Sequence, residues 1–307
     1  MVSATTRYPA PVAQPRGART GLRTRQAMIA YVFLTPALLY FGVFFFYPIA
    51  YEFWLSLHTG QNADVWVGLE NYARALRDDR VLHSFRITVL FAAGVTVGDI
   101  LLGLGLALLL DRALRGRVLL RAVLLFPYMT SFVIIALMWQ NILDPYVGIL
   151  NRVLLQLGLP QQAWLTSYGA ALPAIVGITV WHGMGYNMVI FLAGLQGIPR
   201  DYYDAAKLDG AAGWSLFRTI TLPLLAPTTL FVSVLSVIGS LQAFAQPYVI
   251  TQGGPADATR LFVFHVFEAG FGELDFGYAS ALAFLMFLVI LALTVVQLRL
   301  GGRSVEY

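Results

Sequence analysis

Thr179, His182, Gly183 and Tyr186 are spaced by three or four residues, so on an α-helix they share one face. That face carries a hydroxyl, an imidazole and a phenol around a glycine gap, and each polar group can exchange hydrogen bonds with a solute. Asn187 adds an amide beside them. Further along, Ser233, Ser236 and Ser240 form one stripe, and Gln242 and Gln246 form another. Hydroxyls and amides suit the hydroxyls of a neutral polyol, and an aromatic ring packs against the apolar face of a pyranose. No lysine or arginine falls within 170–195 or 222–249, so a phosphate would have to find its cation on another chain. The competing use of the same residues is packing, because small and polar side chains also hold transmembrane helices together. His182 taken alone reads more readily as a satisfied interior residue than as a ligand.

Other chemistries are poorly served. Cysteine is absent, which excludes disulfides and thiolate metal sites. The histidines at 58, 83, 182 and 265 are too scattered for a zinc pair. A phosphate-binding P-loop needs Gly-x-x-x-x-Gly-Lys-Ser/Thr, yet the one lysine is Lys207, preceded by Ala206. No catalytic, metal or cofactor site is therefore assigned, and the chain reads as a non-enzyme. Asp99 and Glu52 are single ionisable groups at membrane depth, and a proton relay would need one of them. Neither has a paired partner in sequence, and Asp99 is read as bonding a neighbouring helix or a second subunit. Gly103 and Gly105 read as sites of close helix approach. Gln140, Asn141 and Asp144 would cap a helix end or line a mouth, and Arg74, Arg77, Asp78, Asp79 and Arg80 read as a solvated face.

The elements that position these residues are membrane helices. Of 307 residues 58% are hydrophobic and 12% charged, with a mean hydropathy of +0.71, outside the balance of a soluble domain. A bilayer core of about 30 Å takes roughly 20 helical residues, and six stretches qualify: 28–57, 85–110, 118–143, 170–195, 222–249 and 276–298. Arginine and lysine divide fourteen to six between the two sides, which puts both termini in the cytoplasm. The net charge of +4 thus follows topology and gives no sign of nucleic acid. Residues 1–26 carry five arginines and three prolines and read as a disordered basic cytoplasmic tail near anionic lipid. The apolar stretch after it is too long for a signal peptide.

Between the fourth and fifth spans lies a polar interruption on the cytoplasmic side. Pro199 suits a helix start, Asp201 and Asp204 favour its positive end, and Gly210 can adopt the positive φ that ends it. A second short helix, 214–218, follows before Pro223. Ala205 and Ala206 leave one side nearly flat, which permits another surface to approach.

Asp204-Ala205-Ala206, Gly210 and Ile220-x-Leu222-Pro223 resemble, in spacing and topology, the EAA signature of the membrane subunits of bacterial ABC importers. The stretch 195–223 is similar to the carbohydrate-uptake branch, of the maltose and glycerol-phosphate permease type. Thr251-Gln252-Gly253-Gly254-Pro255, Phe276-Gly277-Tyr278-Ala279-Ser280-Ala281 and Gly68-Leu69-Glu70-Asn71-Tyr72 agree with it. One departure is Asp204, a methylene shorter than the usual glutamate. The resemblance implies an all-α polytopic protein with the type I importer permease fold over 27–307, resident in the inner membrane. It implies that the helices near 200–218 couple to a cytoplasmic ATPase dimer through Asp204, Ala205, Ala206, Asp209, Gly210 and Phe217, with ATP and magnesium held by that partner. It further implies a second homologous permease subunit, an extracytoplasmic solute-binding protein or lipoprotein at the loops 144–169 and 250–275, and a sugar as cargo. Trp181-x-Gly183-x-x-Tyr186 is similar to the segment that contacts sugar in maltose-type permeases, so Thr179, His182, Gly183, Tyr186, Asn187, Ser240, Gln242 and Gln246 become the expected pathway. Uptake of glycerol 3-phosphate or its diesters is the alternative within this class, and a stand-alone secondary carrier is the alternative outside it. No inverted repeat of the kind such carriers display is evident.

Overall fold

The computed structural model describes residues 18–60, 64–112 and 115–301, with side chains from residue 27 onward. The proposed tail therefore falls mostly outside the described residues. The chain up to Trp54 forms one unit and the chain from Leu55 a second. In the first unit, α1 (Ala18–Phe41) passes through a π-helical turn at Gly42–Phe46 into α2 (Tyr47–Ser56). From residue 27 to Trp54 its side chains are mostly apolar and mostly exposed, as a helix surrounded by lipid requires. Aromatic rings pack along it, with Tyr40 5.0 Å from Phe44 and Tyr51 5.6 Å from Trp54.

The second unit begins with a two-residue antiparallel pairing of β1 (His58–Thr59) and β2 (Val65–Trp66), followed by α3 (Glu70–Ala75) and α4 (Asp79–Asp111). Then come α5 (Arg117–Met129), α6 (Phe132–Ile142), α7 (Ile149–Gln156) and α8 (Tyr168–Gln196). The polar interruption folds as α9 (Arg200–Leu208), α10 (Trp214–Leu216), a π-helical turn at Phe217–Thr221 and α11 (Leu222–Leu224). After α12 (Ala226–Leu241) and a π-helical stretch at Gln246–Thr251 come α13 (Phe262–Phe267), its π-helical end at Glu268–Gly272, and α14 (Phe276–Gly301).

Four segments are long and apolar enough to cross a membrane: 27–56, α4, α8 and α14. Two bent pairs bring the number to six, α5 with α6 at 97° and the segment 214–224 with α12 at 64°. The third and fifth spans are therefore not the continuous helices that their hydropathy suggests. Proline, which lacks an N–H and clashes with the preceding turn, lies near each break. Pro127 sits three residues before Thr130, which turns extended with ψ 144°. Pro223 and Pro227 flank the bend at Leu225, and Pro247 follows the gap after Leu241.

α8 is the axis of the second unit, and glycine sets how closely its neighbours approach. A Cβ on Gly98 would stand 2.6 Å from Val180 Cγ2, and one on Gly103 would stand 2.8 Å from Asn187 Cβ. Gly94 and Gly98 form a Gly-x-x-x-Gly pair on α4, the spacing that lets membrane helices meet. Gly103 thus packs as expected, whereas no neighbouring atom among the described residues lies within 4 Å of a Cβ on Gly105. From the other side, a Cβ on Gly185 would stand 2.0 Å from the carbonyl oxygen of Leu124 in α5. Around this axis, Phe91 and Ile175 fill one buried cluster, and Leu110, Phe191 and Val232 fill another.

The start of α14 is held by residues that look solvated in sequence. Arg74 lies 2.7 Å from Asp275 and 3.8 Å from the centre of the Tyr278 ring, while Tyr278 donates to Asp78 at 3.0 Å. Arg77, Asp79 and Arg80 do face outward. Gly277 lies against the carbonyl of His58, where a Cβ would stand 2.0 Å from the oxygen, which gives the Phe276-Gly277-Tyr278 opening a packing reason. Gly185→Ala is expected to lower the stability of the purified protein by about 1–3 kcal/mol through overpacking, while Gly105→Ala leaves it unchanged; thermal unfolding compares the two. Equal melting temperatures would mean that α5 does not rest on α8 at Gly185.

Candidate functional site

Where α4, α5, α8 and α12 meet, they line an open-sided cavity of about 330 Å³. Helix α8 contributes Thr179, His182, Gly183, Tyr186 and Asn187, because three- and four-residue steps keep them on one face. Ser236, Gly239 and Ser240 reach it from α12, and Gln246 reaches it from the π-helical stretch beyond. Seven of the eight expected pathway residues thus come together. Gln242 does not: the helix ends at Leu241, the register changes, and its side chain is exposed. Ser233 also points elsewhere and accepts a hydrogen bond from Gln297 of α14 at 3.1 Å.

Two lining residues come from elements the sequence had not tied to this place. Tyr128, near the end of α5, stacks on Tyr186 with ring centres 4.4 Å apart and planes at 11°. Leu124 and Tyr128 are four residues apart on one face of α5, so the contact of Leu124 with Gly185 brings Tyr128 onto α8. The second is Asp99 of α4, 6% exposed, whose Oδ2 accepts a hydrogen bond from Ser236 Oγ at 2.7 Å. Its expected bond to a neighbouring helix is therefore present within this chain. A Cβ on Gly183 would stand 3.3 Å from Asp99 Oδ1 and 3.6 Å from Asn187 Nδ2, so the glycine makes the room in which these side chains meet.

His182 is well surrounded: its ring lies 5.2 Å from Phe132 and 5.7 Å from Tyr128, and Nε2 is 3.4 Å from the carbonyl of Thr130. It covers a carbonyl freed by the break in the third span. Trp181 faces away from the cavity and packs edge-on against Trp139 at 5.4 Å. Among the described residues no lysine or arginine lines the cavity.

At one mouth of the bundle the polar residues act as caps. Gln140 Nε2 donates to the carbonyls of Val249 and Ile250 at 2.8 and 2.9 Å, which pins the π-helical stretch carrying Gln246. Asp144 Oδ1 accepts from the N–H groups of Val147 and Tyr146, and these hold its carboxyl below the usual carboxylate range. Asn151 accepts from the Trp164 indole at 3.1 Å, so this tryptophan is anchored inside its loop.

At the α9 end the geometry follows the sequence. Gly210 has φ +84°, which only glycine adopts freely. Asp204, Ala205, Asp209 and Gly210 are exposed, Phe217 is half-buried, and Ala206 is buried. Asp204 pairs with Lys207 at 3.0 Å, with both side chains more than half exposed, an arrangement worth little by itself. Leu208 and Trp214 are 90% and 73% exposed, large apolar groups left uncovered beside α9.

Apolar spans around a polar cavity, with a polar helix–glycine–helix at one end, define the membrane subunit of a solute transporter. Residues 99–304 match the family described as binding-protein-dependent transport system inner membrane component, and the chain belongs to that family. It is 36% identical over 286 residues to the trehalose/maltose transport system permease protein MalF of Thermococcus litoralis, covering 91% of this chain and 96% of that one. It is 32% identical to the sn-glycerol-3-phosphate transport system permease protein UgpA of Agrobacterium fabrum, covering 91% and 97%. A bacterial alginate ABC transporter, solved with an alginate pentasaccharide-bound periplasmic protein, has a chain of the same fold. The TM-score is 0.82 at 19% identity, over 94% of this chain and 99% of that one. The protein is thus a multi-pass inner-membrane transport component with the fold of an ABC importer permease.

Replacing Tyr128 and Tyr186 by leucine, singly and together, is expected to reveal a coupling of about 0.5–1.5 kcal/mol in unfolding, the usual worth of a stacked pair. Strictly additive effects would show that the rings do not meet.

Proposed function

We propose that the chain forms half of the translocation pathway of an ATP-driven importer for a sugar, a disaccharide or short oligosaccharide. The observation that carries this reading is the chemistry of the cavity. Stacked tyrosines, hydroxyls and amides line it without a single lysine or arginine, which suits an uncharged polyol. Glycerol 3-phosphate, the solute in the name of the UgpA relatives, is less well served, since a phosphate is usually met by arginine or lysine.

The second half of the pathway comes from a homologous permease subunit, and the family description supports delivery by an extracytoplasmic solute-binding protein. The motor is a separate cytoplasmic ATPase dimer that holds ATP and magnesium. Its groove receives α9 and α10, with Asp204, Asp209 and the uncovered Leu208 and Trp214 as the contacting surface. Closure of the ATPase pushes these helices and moves α8 and α12, which carry the cavity walls, between inward-facing and outward-facing arrangements.

Proline cannot adopt φ +84°, so Gly210→Pro is expected to leave insertion and the ATPase's own hydrolysis intact. Sugar uptake by the reconstituted importer should fall at least tenfold, an uncoupling that unchanged transport would refute. Tyr186→Ala is expected to reduce uptake at limiting sugar while the subunits still co-purify. A normal dependence on sugar concentration would remove Tyr186 from the pathway.

A further inference from the structure

Among the described residues Asp99 is the one carboxylate in the wall of the cavity, and its surroundings are unlike those of a side chain that only joins two helices. Oδ2 takes the hydroxyl of Ser236 at 2.7 Å, a bond that an asparagine or serine would make equally well without bringing an ionisable group to membrane depth. Oδ1 is enclosed by protein, with no hydrogen bond of standard geometry among the described residues and the Asn187 amide beside it. It faces Gly183, the position in α8 where a side chain would fill the space beside it. No cation lines the cavity to balance the carboxylate. In such low-dielectric walls its field is weakly screened and decides which solutes concentrate there.

We propose that Asp99 sets the charge selectivity of the pathway. It excludes anionic solutes, phosphate esters above all, and leaves uncharged polyols free to enter. This rests on the cavity being the substrate pathway, and it sharpens the substrate class to polyols without phosphate or carboxylate.

The chain contains no cysteine, so Gln246→Cys and Leu235→Cys each place a single thiol of this chain at the cavity. In the complete reconstituted transporter, each is treated with methanethiosulfonates of similar size bearing a sulfonate, a hydroxyl or a trimethylammonium group. Modification is followed by the intact mass of this chain. Relative to the hydroxyl reagent, and normalised to the same ratio for free mercaptoethanol, the sulfonate is expected to react about tenfold more slowly, a modest case of electrostatic exclusion. Asp99→Asn, which keeps the bond to Ser236, should bring the ratio back to that of the free thiol, and Asp99→Glu should retain the discrimination. Asp99→Ser serves as the neutral variant if the amide disturbs assembly. An unchanged ratio in the neutral variants overturns the proposal, as does a cavity in which neither thiol reacts with any reagent. The ratio does not depend on which sugar is carried, so a failed sugar reading shows separately, as absent sugar uptake.

Discussion

The solute-handling part of this protein depends on how closely other helices approach α8. In lipid there is no hydrophobic drive to press helices together, so close contact of backbones and hydrogen bonds between side chains must do it. Gly94, Gly98 and Gly103 bring α4 against α8 on one side, and Gly185 receives the carbonyl of Leu124 on the other. Those approaches let Asp99 reach Ser236 across to α12 and set Tyr128 flat on Tyr186. A methyl group at Gly98 or Gly185 would push back the walls and separate the polar groups now gathered around the cavity.

The same cavity explains where the backbone may depart from a regular helix. Unpaired carbonyls are costly at membrane depth unless they are buried in protein or line a polar space. The third span breaks at Thr130, whose carbonyl meets His182, and the fifth ends at Leu241, after which the carbonyls of Val249 and Ile250 meet Gln140. Both irregular stretches thus adjoin the cavity with side chains to satisfy them. They are also the places where α5 and α12 can change direction, so the structural compensation for the breaks coincides with what an alternating pathway needs.

Much of this was legible in the sequence. Residues 179, 182, 183 and 186 share a face because α8 is an unbroken helix through that region, and Gly210 ends α9 because its conformation admits little else. The failures have equally local causes. Hydropathy reports that a segment is apolar but not that it is straight, so Pro127, Pro223, Pro227 and Pro247 were hidden inside spans that looked continuous. Tyr128 was missed because spacing within one span does not say which other span it meets, and Gln242 was misplaced because helical spacing was carried past Leu241. Arg74 and Asp78 looked solvated because their partners, Asp275 and Tyr278, lie some 200 residues away. The Gly-x-x-x-Gly pair at 94 and 98 was present in the sequence as a packing signal.

The proposed passive half-pathway, moved from outside through α9 and α10, makes a definite demand on transport. Uptake of labelled disaccharide into proteoliposomes tests it most directly, comparing this chain alone with the chain joined by its permease partner, ATPase and binding protein. ATP-dependent accumulation is expected from the full set and none from the chain alone. Accumulation by the purified chain without ATP would contradict it.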